Sequence, residues 1–216
     1  MIISDKYKCI FIRIPKTGST SVETLFKKID PDCISSDEEN IPYGHFYASQ
    51  LKDMVGEKKW NEYYKFAFVR HPYSWIKSQY TYNMWGTYEN YPEVEKKLYL
   101  VLDGHEMAKP KDNVFNIDHM VKLYLLLKEW FQGEIQSRYV DLDIDFIGKM
   151  ENFQEDMNKV FKKLGIPQYS LPHTNRSEDL ALHSTGTTGK KYVLDDDAKK
   201  FVDIILKEDF ILYNQS

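Results

Sequence analysis

The sequence predicts an α/β fold, in which short apolar runs end in polar turns and lead into amphipathic helices. Three stretches carry this reading: Tyr7–Ile29 (YKCIFIRIPKTGSTSVETLFKKI), Tyr64–Tyr80 (YKFAFVRHPYSWIKSQY) and Ile144–Ile166 (IDFIGKMENFQEDMNKVFKKLGI). In the first, Cys9, Ile10, Phe11, Ile12 and Ile14 are apolar without alternation, the pattern of a strand covered on both faces.

Taken in order, the first strand ends at Pro15 and gives way to Lys16-Thr17-Gly18-Ser19-Thr20-Ser21, a loop of small residues, hydroxyls and one ammonium. Val22, Leu25, Phe26 and Ile29 then form the i, i+3, i+4, i+7 stripe of a helix. Thr20 and Glu23 have the spacing of a capping box. A helix N-terminus approached by small residues and a lysine is an anion site, with phosphate or sulfate as guest. Asp30 to Pro42 reads as a polar surface loop with an acidic run at 37–39, and a helix through Ala48, Leu51, Lys52 and Val55 follows Tyr43-Gly44-His45-Phe46.

Phe66, Ala67, Phe68 and Val69 make the second strand, with Arg70 at its end and Pro72 suited to the first turn of the next helix. Ser78 lies about two helical turns on. Arginine and hydroxyl in this arrangement clamp a phosphate by charge-assisted hydrogen bonds. Tyr80, Tyr82, Trp85, Tyr88 and Tyr91 form an aromatic stretch suited to stacking on sugar rings or to packing a core. Residues 93–102 read as a short helix and 104–112 as a loop with His105 at the surface.

Val114, Ile117, Val121, Tyr124 and Leu125 supply the stripe of another helix, with His119 off it and exposed. Residues 136–140 and 145–149 read as connecting or short-strand segments. Asn152 and Glu155 cap a helix built on Phe153, Met157, Val160, Phe161 and Leu164, which Gly165 and Pro167 stop. Residues 183–192 (HSTGTTGKKY) make a basic loop, and Asp195 to Lys207 the last helix.

With 216 residues and no repeat or linker, a single domain over 1–216 is expected. The net charge of −4 argues against nonspecific nucleic-acid binding. Two cysteines make no disulfide framework, and a thiol at Cys9 in a core strand favours a reducing compartment. No secretory signal or membrane-length apolar run is visible.

The order within the first loop narrows its guest. A nucleoside-triphosphate loop places lysine after its second glycine, whereas Lys16 precedes the only glycine of this run. KTGSTS instead resembles the 5′-phosphosulfate loop of sulfotransferases that use 3′-phosphoadenosine 5′-phosphosulfate (PAPS). RHPYSWIKS resembles their 3′-phosphate element, with Arg70 and Ser78 on its contacting positions. The third stretch resembles a unit of the carbohydrate-type, family 2-like members.

This resemblance implies a P-loop-like three-layer fold, a central parallel sheet flanked by helices, with the site at the carboxyl ends of the strands. It implies sulfuryl transfer from PAPS to an acceptor hydroxyl, a carbohydrate being favoured. Backbone amides of Thr17 to Ser21 would hold the 5′-phosphate and Lys16 would stabilise charge on the leaving oxygen. His45 is the candidate base, with a structural histidine as its alternative and Glu23 as a competitor already given a capping role. Lys190, Lys191 and Tyr192 match a late basic loop that covers the donor, or else a solvated loop. No ligand cluster argues for a metal. Lacking the membrane anchor of animal Golgi members, the chain is expected in the cytoplasm of a bacterium or in a virus. Two other readings are an ATP-dependent, kinase-like phosphotransferase and a nucleotide-binding regulatory protein without catalysis.

Overall fold

The computed structural model describes residues 1–35, 44–85, 112, 114–130, 135–172 and 193–216. The rings expected beyond residue 85, the short helix at 93–102, His105 and the basic loop with Lys190, Lys191 and Tyr192 lie outside the described residues. The chain divides into two compact units, Met1–His71 with Ile135–Thr174 and Ile211–Ser216, and Pro72–Glu134 with Asn175–Phe210.

In the first unit, β1 (Ile2–Ser4), β2 (Cys9–Ile12), β3 (Ile34–Ser35), β4 (Tyr64–Val69) and β6 (Phe146–Lys149) form one sheet in the order β3-β1-β2-β4-β6. β4 pairs parallel with both β2 and β6. β1 pairs antiparallel with β2 and β3, so four strands share a direction and β1 opposes them. The expected parallel sheet is corrected at that edge. The turn between Ser4 and Cys9 is too short for a crossover, which leaves antiparallel pairing as its only outcome. Tyr7 N–H donates to Ser4 Oγ at 3.1 Å within it.

Alternation along the strands then assigns the faces. Cys9, Phe11, Phe66 and Phe68 turn to one side and Ile10, Ile12, Ala67 and Val69 to the other. The first side packs on Val22, Leu25 and Phe26 of α1 (Ser19–Ile29) and on Met157, Val160 and Phe161 of a later helix, Phe153–Leu164. On the second side lie Ala48 and Leu51 of α2 (Ala48–Val55), Trp60 of α3 (Glu57–Glu62) and Tyr139 of a single turn, Gln136–Tyr139. Helices therefore cover both faces of the sheet. The ring of Phe66 meets those of Phe11 at 5.1 Å and Phe26 at 6.1 Å, so truncating it would cost about 3–5 kcal/mol.

The second unit packs α4 (Pro72–Trp85), α5 (Ile117–Trp130) and a later helix, Asp196–Ile205, with a parallel pair β5 (Val114–Phe115) and β7 (Val193–Leu194). Two expectations are corrected here. Val114 belongs to β5 rather than to the helix, and the buried face of α5 is His119, Met120 and Leu123 while Ile117 and Leu125 are exposed. His119 is buried because its ring bonds Asn116 and packs edge-on against Phe115.

In chain order the remaining helices are α6 (Gln136–Tyr139), α7 (Phe153–Leu164), α8 (Asp196–Ile205) and α9 (Lys207–Gln215). Residues 136–140, expected as connection or strand, thus form a helical turn. The helix expected over 195–207 spans Asp196–Ile205 and stops at Leu206, whose backbone leaves helical geometry (φ −111°, ψ 25°), and α9, which was not expected, follows it. Asn152 does precede α7, but its side chain makes no cap bond.

Candidate functional site

After Ile12 the chain leaves β2 and turns through Arg13–Gly18 into α1. Two residues of this turn have left-handed backbones, Lys16 at φ 63° and Gly18 at φ 76°. A lysine there costs about 1 kcal/mol and persists only where its surroundings hold it. Thr17 supplies one such hold: buried, it donates from Oγ1 to the Ile14 carbonyl at 3.0 Å. Glycine at 18 answers a second constraint as well. A Cβ there would lie 2.8 Å from Met150 Sδ and 2.9 Å from Phe153 Cζ.

Gly18 is also the N-cap of α1, without a side-chain cap bond, and the first turn carries no acidic residue. Ser21 N–H returns to the Gly18 carbonyl at 3.0 Å. Amides at a helix start that are not tied back in this way lack intrahelical acceptors, and the positive end of the helix dipole suits an anion. Lys16, Thr17, Gly18, Ser19, Thr20 and Ser21 are thus one continuous turn with the composition and electrostatics of an anion cradle.

The capping box expected between Thr20 and Glu23 does not form. Glu23 is buried, with Oε2 3.1 Å from Arg13 Nη1 and Oε1 3.0 Å from the Met1 amino group. Arg13 leaves the end of β2 alongside α1 and also donates from Nε to Ser19 Oγ at 3.4 Å. A buried carboxylate gains more from two cations than from one amide bond, because desolvation leaves an unpaired charge costly. Both oxygens of Glu23 are thus engaged in ion pairs that tie the N-terminus and Arg13 to α1.

Arg70 follows β4, the parallel neighbour of β2, so its backbone emerges at the same carboxyl edge as the Lys16 turn. Burial and the nearby Arg70 charge push the Lys16 ammonium down to about 8. Burial likewise lowers Arg70, opposed by the Glu151 carboxylate. Arg70 itself is gripped by Gln136, whose Oε1 accepts from its N–H at 2.7 Å and whose Nε2 donates to its carbonyl at 2.9 Å. Glu151 Oε1 accepts from the next amide, His71 N–H, at 2.9 Å.

His45 lies in the same unit. Its Nδ1 is 3.0 Å from the Arg13 carbonyl, so Nδ1 carries the hydrogen and Nε2 the lone pair. Burial pushes the ring down to about 4, the backbone bond resists, and the charges of Arg13, the N-terminus and Lys16 add to the fall. The imidazole is therefore neutral at neutral pH. Its ring meets that of Tyr139 edge-on at 6.2 Å.

Of the residues singled out from sequence, the first unit brings together the loop 16–21, Arg70 and His45. Ser78 is buried on α4 of the second unit. Arg13, Gln136 and Glu151 were missed. Arg13 had the signal that exposed Arg70, a cation closing an apolar run, but Gln136 and Glu151 reach the site only through the fold. Among the described residues, no group of three or more His, Cys, Asp or Glu is placed to hold a metal, and no helix is long and apolar enough to cross a membrane.

Comparison with known proteins adds three findings. The model of the sulfotransferase family (Sulfotransfer_2) matches residues 1–215. An uncharacterized protein of Archaeoglobus fulgidus is 26% identical over 139 residues, covering 61% of this chain and 92% of that protein. No solved structure matches.

Proposed function

Because the chain belongs to the sulfotransferase family, we propose that it transfers a sulfuryl group from PAPS to an acceptor hydroxyl, acting as one sulfotransferase domain. The observation that carries the reading is the pair of half-buried cations at the carboxyl edge of adjacent parallel strands. Lys16 is depressed to about 8 partly by Arg70, and a ligand with two anionic groups would turn this repulsion into attraction. Adenosine 3′,5′-bisphosphate chemistry fits that demand better than one phosphate would.

In this scheme the turn from Thr17 to Ser21 binds the 5′-phosphate through backbone amides and Arg70 binds the 3′-phosphate, a role the resemblance also gives Ser78. Sulfuryl transfer breaks the bond between sulfur and the 5′-phosphate oxygen and forms one to the acceptor oxygen. Lys16 stabilises the charge left on the departing oxygen. His45 Nε2 takes the acceptor's proton, its lone pair aimed away from the Arg13 carbonyl by the Nδ1 hydrogen bond. Lys190, Lys191 and Tyr192 would cover the donor. No residue in the scheme requires a metal. A carbohydrate is the acceptor class favoured by the aromatic run after Ser78, and a cytoplasmic setting by the buried free thiols Cys9 and Cys33.

Kinetics on Lys16→Ala test the assignment of roles. Turnover of PAPS should fall by about two to three orders of magnitude, while adenosine 3′,5′-bisphosphate affinity falls much less. Equal turnover in mutant and wild type would remove Lys16 from the chemistry.

A further inference from the structure

We infer that Gln136 is the residue that makes this site demand a 3′-phosphate, by fixing the backbone from which Arg70 reaches; the inference rests on the reading of Arg70 above. Gln136 is 1% exposed and turns both ends of its amide to one residue. Oε1 accepts from Arg70 N–H at 2.7 Å and Nε2 donates to Arg70 C=O at 2.9 Å. Only one orientation of the amide satisfies both bonds, so the grip has direction as well as strength. β4 ends at Val69, and the β4–β6 ladder stops at the Val69–Lys149 pair. Arg70 is therefore the first residue past the sheet, and a side chain from a distant segment takes over the role of a neighbouring strand.

The same helical turn reaches the other half of the site. Gln136 and Tyr139 are three residues apart and so lie on one face of α6. Tyr139, 1% exposed, packs against the rings of His45 at 6.2 Å and Tyr47 at 5.5 Å. One short turn thus sets the backbone of the phosphate-binding arginine and supports the ring of the candidate base. Arginine discriminates by the geometry of its fork, and freedom in the backbone behind it lets it reach water or Glu151 instead of the ligand. A loosened Arg70 should lose the 3′-phosphate while the Lys16 turn keeps its hold on the 5′-phosphate.

The test is calorimetric affinity for adenosine 3′,5′-bisphosphate and for adenosine 5′-monophosphate, measured on the full chain. Gln136→Met keeps the volume and removes both hydrogen bonds; Gln136→Glu keeps the acceptor and loses the donor. Thermal melts establish that each variant is folded, and the Glu variant serves should the Met variant fail to fold. The preference for the bisphosphate should fall roughly tenfold in Gln136→Met, the worth of one to two hydrogen bonds, with 5′-monophosphate affinity unchanged. Equal weakening of both nucleotides, or no change in preference, overturns the inference, since a merely structural role would move both together. Arg70→Ala separates the two layers. If it abolishes the preference and the Gln136 variants do not, Gln136 is excluded while the reading of Arg70 survives. If it leaves the preference intact, both fall.

Discussion

The depressed ammonium of Lys16 makes ligand binding depend on pH in a direction and amount that follow from the structure. In the free protein burial and Arg70 hold Lys16 at about 8, against an ordinary 10.5. A bound phosphate favours the charged form and draws the group back toward its ordinary value. The free protein therefore lacks part of a proton that the complex holds, and binding takes protons up. With those two values, uptake is about 0.1 proton near pH 7, about 0.5 near pH 8 and about 0.9 near pH 9. Affinity should change little around pH 7 and fall as pH rises through 8, approaching about tenfold per unit. Calorimetry of adenosine 3′,5′-bisphosphate in buffers of different ionisation enthalpy reads the uptake directly. His45, held at about 4, does not titrate in this window, and phosphate with its second pKa near 6 is almost fully ionised. Lys16→Arg stays charged throughout and should abolish the uptake. Wild-type binding without proton uptake near pH 9, or the same uptake in Lys16→Arg, would refute the placement of Lys16 beside the phosphate.

Two further outcomes rest on neighbouring residues. His45 stays neutral in the fold down to about 4, whereas the unfolded chain binds its proton below 6.5; stability is thus lost as pH falls through this interval. Denaturant melts should show the wild type losing about 3 kcal/mol more than His45→Gln between these pH values, and parallel losses would contradict the burial of the ring. Gly18→Ala forces a side chain into a left-handed position and against Met150 and Phe153. It should cost about 3 kcal/mol of stability, and an unchanged denaturation midpoint would show that the turn relaxes freely.

Much of the first unit was legible because its signals are local. An apolar run, a small-residue turn and a helical stripe sit within one stretch of chain, and β2, α1 and β4 follow from them. Failures came where tertiary contacts overrode local chemistry. Glu23 has capping-box spacing, yet once its carboxylate is buried an ion pair with Arg13 is closer to its needs. His119 looks exposed by helical periodicity, but its ring bonds Asn116 and packs on Phe115 of the short β5 in front of α5. β1 and β3 are three and two residues long, too short to show a period. Gln136 could not be found from sequence, since nothing around it announces a partner 66 residues away. Lys16, Arg70 and His45 could be singled out as candidates, because each stands near an element boundary with a chemistry its neighbours do not share.

The central claim is that this site reads a 3′,5′-bisphosphorylated adenosine, and the most direct measurement is calorimetric binding of adenosine 3′,5′-bisphosphate beside ATP with magnesium. The account predicts binding of the bisphosphate with ATP–magnesium weaker by at least about tenfold, the worth of one charge-assisted phosphate contact. Preference for ATP with magnesium would contradict it and leave a kinase-like phosphotransferase as the better description of the site.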